Sequence, residues 1–184
     1  TVADVLPVIN GGSLDDHPTQ ALADTLTITR ELGGVDDINV GIIGRMEHRN
    51  VTALLTALAL FKKVKVTLIP FSGDVDPVVL AYCESKGVKF SRSDGSRGLE
   101  ELDVIYLNSP RTLAHVHLLK TRNAFNLKID DEFMDRLQPH CIVMDPMQRS
   151  GDFVVETIDS RLAFYRQAEN ALVVKMAVLK QLLG

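Results

Sequence analysis

The sequence predicts an α/β fold: a doubly wound, mostly parallel sheet of about five strands flanked by helices, Rossmann-like but without a dinucleotide motif. Two observations predict it. Short runs rich in Val and Ile alternate with helical patterns along the chain, the rhythm of strand–helix–strand units. Those runs mostly lack polar–apolar alternation, as strands covered on both faces do. At 184 residues the chain fits one domain with a substantial core.

The opening stretch Pro7–Ile28, PVINGGSLDDHPTQALADTLTI, leads through a glycine-bearing turn into a helix over Pro18–Leu32. Pro18 suits the first helical position, where its missing N–H would be unpaired anyway and its φ is already helical. His17 then becomes the N-cap and Gln20 the third helical residue, both beside the free N–H groups at the positive end of the helix dipole. An imidazole there is held neutral, because the dipole opposes protonation. A neutral imidazole can donate a hydrogen bond to a carbonyl oxygen, and the Gln20 amide can both accept and donate. The pair suits a planar group bearing a carbonyl and an NH2. Read alone, the same residues are also simply a well-capped helix start.

Asp36 and Asp37 read as a turn before the first strand, Ile38–Ile43 (INVGII). A helix over Asn50–Phe61, a strand over Val64–Ile69 (VKVTLI), a helix over Pro77–Lys86 and a strand over Val88–Phe90 follow. Ser91–Gly98 (SRSDGSRG), polar and glycine-bearing, reads as a mobile loop. Next come a strand at Val104–Leu107 (VIYL), helices at Arg111–Leu119 and Asp130–Leu137, and a strand at Cys141–Met144 (CIVM). Leu162–Leu183 carries one long helical pattern or two shorter ones.

A net charge of −4 leaves no basic footprint, which argues against a nucleic-acid partner. No apolar run approaches a membrane span and no signal peptide is evident at Thr1, so the expected setting is cytoplasmic, away from membranes. A first residue other than Met reads as a processed or partial chain. Cys83 and Cys141 lie far apart, form no metal-spaced motif and fit a reducing compartment.

In open α/β sheets ligands collect beyond the carboxyl ends of the strands. Three segments fall there: Gly44–Asn50 (GRMEHRN), Asn108–Thr112 (NSPRT) and Asp145–Asp152 (DPMQRSGD). They carry Arg45, Arg49, Arg111 and Arg149, whose planar forks pair with carboxylates or phosphates, although polar loops hold arginines for solvation too. The run GIIGRMEHRNV lacks G-x-G-x-x-G, which disfavours NAD, and the chain has no P-loop. His115 and His117, two apart, would point to different faces of a helix and read as a surface pair rather than metal ligands. His48 reads as an exposed loop histidine. Met134, Met144, Met147 and Met176 read as core or near-core packing, and Glu169 and Asn170 as helix packing and hydrogen bonding. No cofactor or metal is expected.

These motifs resemble the aspartate/ornithine carbamoyltransferase family, specifically its second, amino-acid-binding domain, with the aspartate branch nearer. The opening stretch is similar to the family's Pro-Val-Ile-Asn … His-Pro-Thr-Gln signature, and VGIIGRMEHRNVTALLTALALF to the next strand, loop and helix. DVIYLNSPR and IVMDPMQRSGDF fall where the family has two further substrate loops. FYRQAENALVVKMAVLKQLL resembles its closing helix, so the resemblance runs over nearly the whole chain.

The resemblance implies transfer of a carbamoyl group from carbamoyl phosphate to the amine of an amino acid, aspartate foremost, as in pyrimidine or arginine synthesis. Such chemistry needs alignment of two substrates and stabilisation of an oxyanion, not a protein nucleophile or metal. It implies that His17 donates to the carbamoyl oxygen and Gln20 holds the carbamoyl NH2 as the catalytic pair. Arg49 would bind an amino-acid carboxylate, with Arg149 and Arg111 as further substrate-binding residues. It implies that residues 1–184 form the amino-acid-binding domain alone. The carbamoyl-phosphate-binding domain and its Ser-Thr-Arg-Thr loop lie outside them, and the assembly is a homo-oligomer, a trimer. The chain departs from the family where aspartate-specific members have Thr-Arg-Val-Gln: Ser109, between Asn108 and Pro110, stands in place of an arginine. The His-Pro-Leu-Pro-Arg loop is changed to Asp145, Pro146, Met147, Gln148 and Arg149, and a carboxylate near a doubly charged phosphate is unfavourable unless paired. The ornithine-type Ser-Met-Gly and His-Cys-Leu-Pro loops are missing. These departures keep open a catalytically silent homologue with a structural or regulatory role, and a carbamoyltransferase with a different acceptor.

Overall fold

A computed structural model describes residues 6–95, 97–108, 127–146 and 153–184. Its elements in chain order are α1 (Pro18–Leu32), β1 (Asn39–Arg45), α2 (Arg49–Leu58), β2 (Lys65–Ser72), α3 (Pro77–Ser85) and β3 (Lys89–Arg92). After these come β4 (Val104–Asn108), β5 (Leu127–Ile129), α4 (Asp131–Asp135), β6 (Ile142–Met144), β7 (Phe153–Val155) and α5 (Phe164–Leu183). α1 has the predicted bounds because its ends are punctuated: Pro18 opens it, and Gly33 closes it in the left-handed conformation, φ 84°, with its N–H on the Thr29 carbonyl.

The main sheet has five parallel strands in the order β3-β2-β1-β4-β6. The chain walks outward from β1 through β2 to β3, then crosses back to lay β4 and β6 on the other side. The β1–β4 border is therefore the switch point, beyond whose carboxyl ends a crevice forms. Both faces are covered, as the non-alternating runs predict. Val40, Ile42, Val104, Tyr106, Ile142 and Met144 join one core with Ile28, Leu54 and Leu58. Ile43, Ile105, Leu107 and Val143 join the other with Phe133, Met134 and Phe164. Gly44, φ 128°, lets the ends of β1 and β4 close up, since a Cβ there would lie 1.8 Å from the Asn108 carbonyl oxygen.

Several expectations need correction. A second, two-stranded parallel sheet pairs β5 with β7; runs of three residues are too short to show a pattern. Ser91 and Arg92 belong to β3 rather than to a loop, and Ser91 Oγ lies 3.0 Å from Thr67 Oγ1. Of the two readings for the last segment, the single long helix is the one found, 20 residues in length. Met134 and Met144 are buried, but Met176 is 61% exposed, on one face of α5 with the exposed Leu172, Leu179 and Leu183. Glu169 is exposed, whereas Asn170 is buried and donates to Thr27 Oγ1 across 2.9 Å. Arg166 adds a fork onto Glu31 at 2.5 and 2.9 Å, fastening α5 along α1. Cys83 and Cys141 are free and buried. The expected helix over Arg111–Leu119, with His115 and His117, and Met147 lie outside the described residues.

Candidate active site

His17 caps α1 and Gln20 occupies its third position, as predicted. The His17 ring makes no capping bond to the helix. Instead, Asp16 Oδ1 accepts from the His17 backbone N–H at 2.8 Å, and the ring packs beside Gly12, where a Cβ would meet it at 3.1 Å. Burial first, and then the charges of Arg49 and Lys175, hold its pKa below the ordinary histidine value, against an opposing pull from Asp16. The neutral imidazole expected from the helix dipole is thus also favoured by desolvation and two cations.

Arg49 is the first residue of α2, which starts at the carboxyl end of β1. Its Nη1 donates to the Ser13 carbonyl at 2.6 Å, tying the loop before α1 to α2. Its Nε is buried without a hydrogen-bond partner among the described residues, a position that favours an anionic acceptor. His48 is not an exposed loop residue: it is partly buried and caps α2, its Nδ1 accepting from the Asn50 N–H at 3.3 Å. Burial, followed by Arg45 and Arg49, lowers its pKa too. Two helix N-termini and the Arg49 guanidinium therefore converge on this crevice and make it attractive to anions.

The residue sequence reasoning missed is Asp24. One turn below Gln20, it is fully buried and accepts three hydrogen bonds: Gln20 Nε2 at 2.8 Å, Gln167 Nε2 at 2.7 Å and Tyr106 Oη at 2.9 Å. Burial pushes its carboxyl up to about 6, with the three donors pulling the other way. The available signal was a carboxylate four residues after Gln20 on the Ala/Thr-rich inner face of α1. Gln167 in turn accepts from the Asp145 N–H at 2.9 Å, so the network reaches the residue following β6. A cavity of about 220 Å³ opens here, lined by Gln20, Asp145, Pro146, Gln167 and Lys175 among others. The structure thus brings together His17, Gln20 and Arg49, with Asp145 at the cavity beside Gln20. Arg111 and Arg149, like Ser109 and Gln148, lie outside the described residues.

Residues 36–182 match the family described as "Aspartate/ornithine carbamoyltransferase, Asp/Orn binding domain". The chain belongs to this family. The chloroplastic aspartate carbamoyltransferase 2 of Pisum sativum is 34% identical, over 97% of this chain and 48% of its own length, so the carbamoyltransferase likeness takes in the helix mouth as well. Among solved structures, aspartate transcarbamoylase from Trypanosoma cruzi in complex with phosphate superposes with a TM-score of 0.78 at 31% identity, over 94% of this chain and 58% of that one. The same enzyme in complex with N-(phosphonacetyl)-L-aspartic acid gives 0.77 at 30% identity, over 94% and 58%. These relatives lie on the aspartate side of the carbamoyltransferase family. The chain spans about half the length of the curated relatives it matches.

Proposed function

We propose that the protein transfers the carbamoyl group of carbamoyl phosphate to the amine of aspartate, and that these residues supply the amino-acid side of the site. The observation that carries this reading is the convergence of His17, Gln20 and the buried Arg49 Nε at the switch-point crevice of a carbamoyltransferase-family domain. The amine attacks the carbamoyl carbon; a C–N bond forms, the C–O bond to phosphate breaks, and the proton shed by the amine goes to the departing phosphate. His17 donates to the carbamoyl oxygen as negative charge builds there, and Gln20 accepts from the carbamoyl NH2. Arg49 pairs with a carboxylate of the amino acid, holding the amine in line with the carbon. Arg111 and Arg149 complete the acceptor side by family resemblance.

The carbamoyl-phosphate half of the site comes from a further domain beyond these residues, in a homo-oligomer, a trimer by resemblance. The exposed apolar face of α5 at Leu172, Met176, Leu179 and Leu183 supports a covering partner of this kind. The free, buried thiols of Cys83 and Cys141 suit the cytoplasm. Among the described residues no helix is long and apolar enough to cross a membrane.

Titration of the full-length protein with N-(phosphonacetyl)-L-aspartic acid tests the reading. The expected result is saturable binding that Arg49→Ala weakens by at least about tenfold. Absence of binding by the folded protein counts against it.

A further inference from the structure

Gln20 can do its work only with one end of its amide facing the reacting group, and nothing in a free glutamine fixes which end that is. An amide that flips presents NH2 where an acceptor is needed, setting donor against donor at the carbamoyl NH2. The network beneath it settles the choice. An ionised carboxylate only accepts, so Gln20 Nε2, 2.8 Å from Asp24 Oδ1, must be the donor, and Oε1 is the end left for the crevice. The same oxygen of Asp24 takes Gln167 Nε2 at 2.7 Å, which leaves Gln167 Oε1 to accept from the Asp145 N–H at 2.9 Å. One buried carboxylate thereby orients two amides from two helices, one at the carbamoyl end of the site and one at the start of the acceptor-side loop.

We propose that Asp24 is a positioning residue that locks Gln20 with its carbonyl oxygen toward the carbamoyl group and, through Gln167, fixes the backbone at Asp145 where the substrate loop begins. This deepens the carbamoyltransferase reading and, in its kinetic consequence, rests on it. Asp24 touches no substrate; it acts through its two amide partners. Tyr106 Oη, on the second carboxylate oxygen at 2.9 Å, keeps the group from rotating. A side chain of similar size without an acceptor cannot hold the pattern: Asp24→Leu leaves both glutamine NH2 groups and Tyr106 Oη without their partner, whereas the amide of Asp24→Asn can still take both glutamines on its oxygen and donate its NH2 to Tyr106 Oη.

The experiment is Asp24→Leu in the full-length protein, read by side-chain amide exchange and by a double-mutant cycle with Gln20→Ala. In the wild type the Gln20 Nε2 protons should exchange with solvent at least about tenfold more slowly than those of a free glutamine, because the bond to Asp24 must open first. Free-glutamine rates in the wild type overturn the proposal whether or not any variant folds. Asp24→Leu should abolish the protection and lower kcat by about 10- to 100-fold, the worth of one misdirected hydrogen bond at the reacting group, with KM for the amino acid rising as the Asp145 backbone is released. In the Gln20→Ala background the same substitution should cost less than about threefold in kcat. An equal loss with and without Gln20, as an effect on the fold alone would give, overturns the proposal. If the wild type shows slow exchange but no carbamoyl transfer, the functional reading fails while the orientation of Gln20 by Asp24 stands.

Discussion

Tyr106 Oη donates to Asp24 Oδ2 across 2.9 Å, joining the centre of β4 to the middle of α1 through two fully buried side chains. The carboxylate has little solvation besides its three donors, so each donor matters to both stability and ionisation. Tyr106→Phe should therefore destabilise the fold by about 1–3 kcal/mol, the cost of leaving a buried acceptor unpaired. It should also push the Asp24 carboxyl further up, since one group favouring the charged form is gone. Denaturant unfolding and a carboxyl NMR titration of the variant check both.

Asp24 also sets a pH dependence whose sign follows from its environment. Its carboxyl rises from an ordinary 3.8 to about 6 on folding. A raised pKa means the folded state holds the proton longer, so stability from this group is full below about pH 4 and is lost as pH rises through about 6. The loss amounts to roughly 3 kcal/mol between those limits. Unfolding free energies of wild type minus Asp24→Asn, measured from about pH 4 to 7, should fall by that order. A difference that stays flat or grows with pH contradicts the burial of an ionisable group at this position.

His17 should titrate below an ordinary histidine, and Arg49 is one of the causes. Arg49→Gln removes the cation but not the burial, so the His17 pKa should move up while staying under 6.5. Imidazole resonances followed by NMR across the acid range read this directly. An unchanged midpoint would show that the two side chains do not share one crevice.

Gly44→Ala should be severely destabilising. The new Cβ would sit 1.8 Å from the Asn108 carbonyl oxygen in a left-handed backbone, φ 128°. Because the obstacle is main chain, β1 and β4 must part, at a cost of about 3 kcal/mol or more. A thermal melt that matches the wild type would rule out this closeness at the switch point.

What could be read from the residues alone was whatever local chemistry decides. Pro18 and Gly33 bracket α1, so its bounds were legible to the residue, as were the roles of His17 as cap and Gln20 as the third helical residue. Runs such as VIYL showed a strand buried on both faces because burial leaves a compositional trace. Asp24 did not show, because a carboxylate in a helix ordinarily reads as a solvated face; its partners Tyr106 and Gln167 stand 82 and 143 residues away. His48 misled for a related reason. It is partly buried at the start of α2, and no local pattern records that burial. The exposed face at Met176 is the converse: a periodic apolar stripe reads as core whether or not this chain provides the cover.

In the proposed reaction the helix mouth at His17 and Gln20 stabilises a carbamoyl group during transfer. The most direct measurement is formation of carbamoylated aspartate from carbamoyl phosphate by the full-length protein, wild type against His17→Ala, with folding verified for both. The expected result is turnover by the wild type and a fall in kcat of about 10²- to 10³-fold in the variant, the usual cost of losing one oxyanion donor. No product from the wild type, or equal rates from the two proteins, would contradict it.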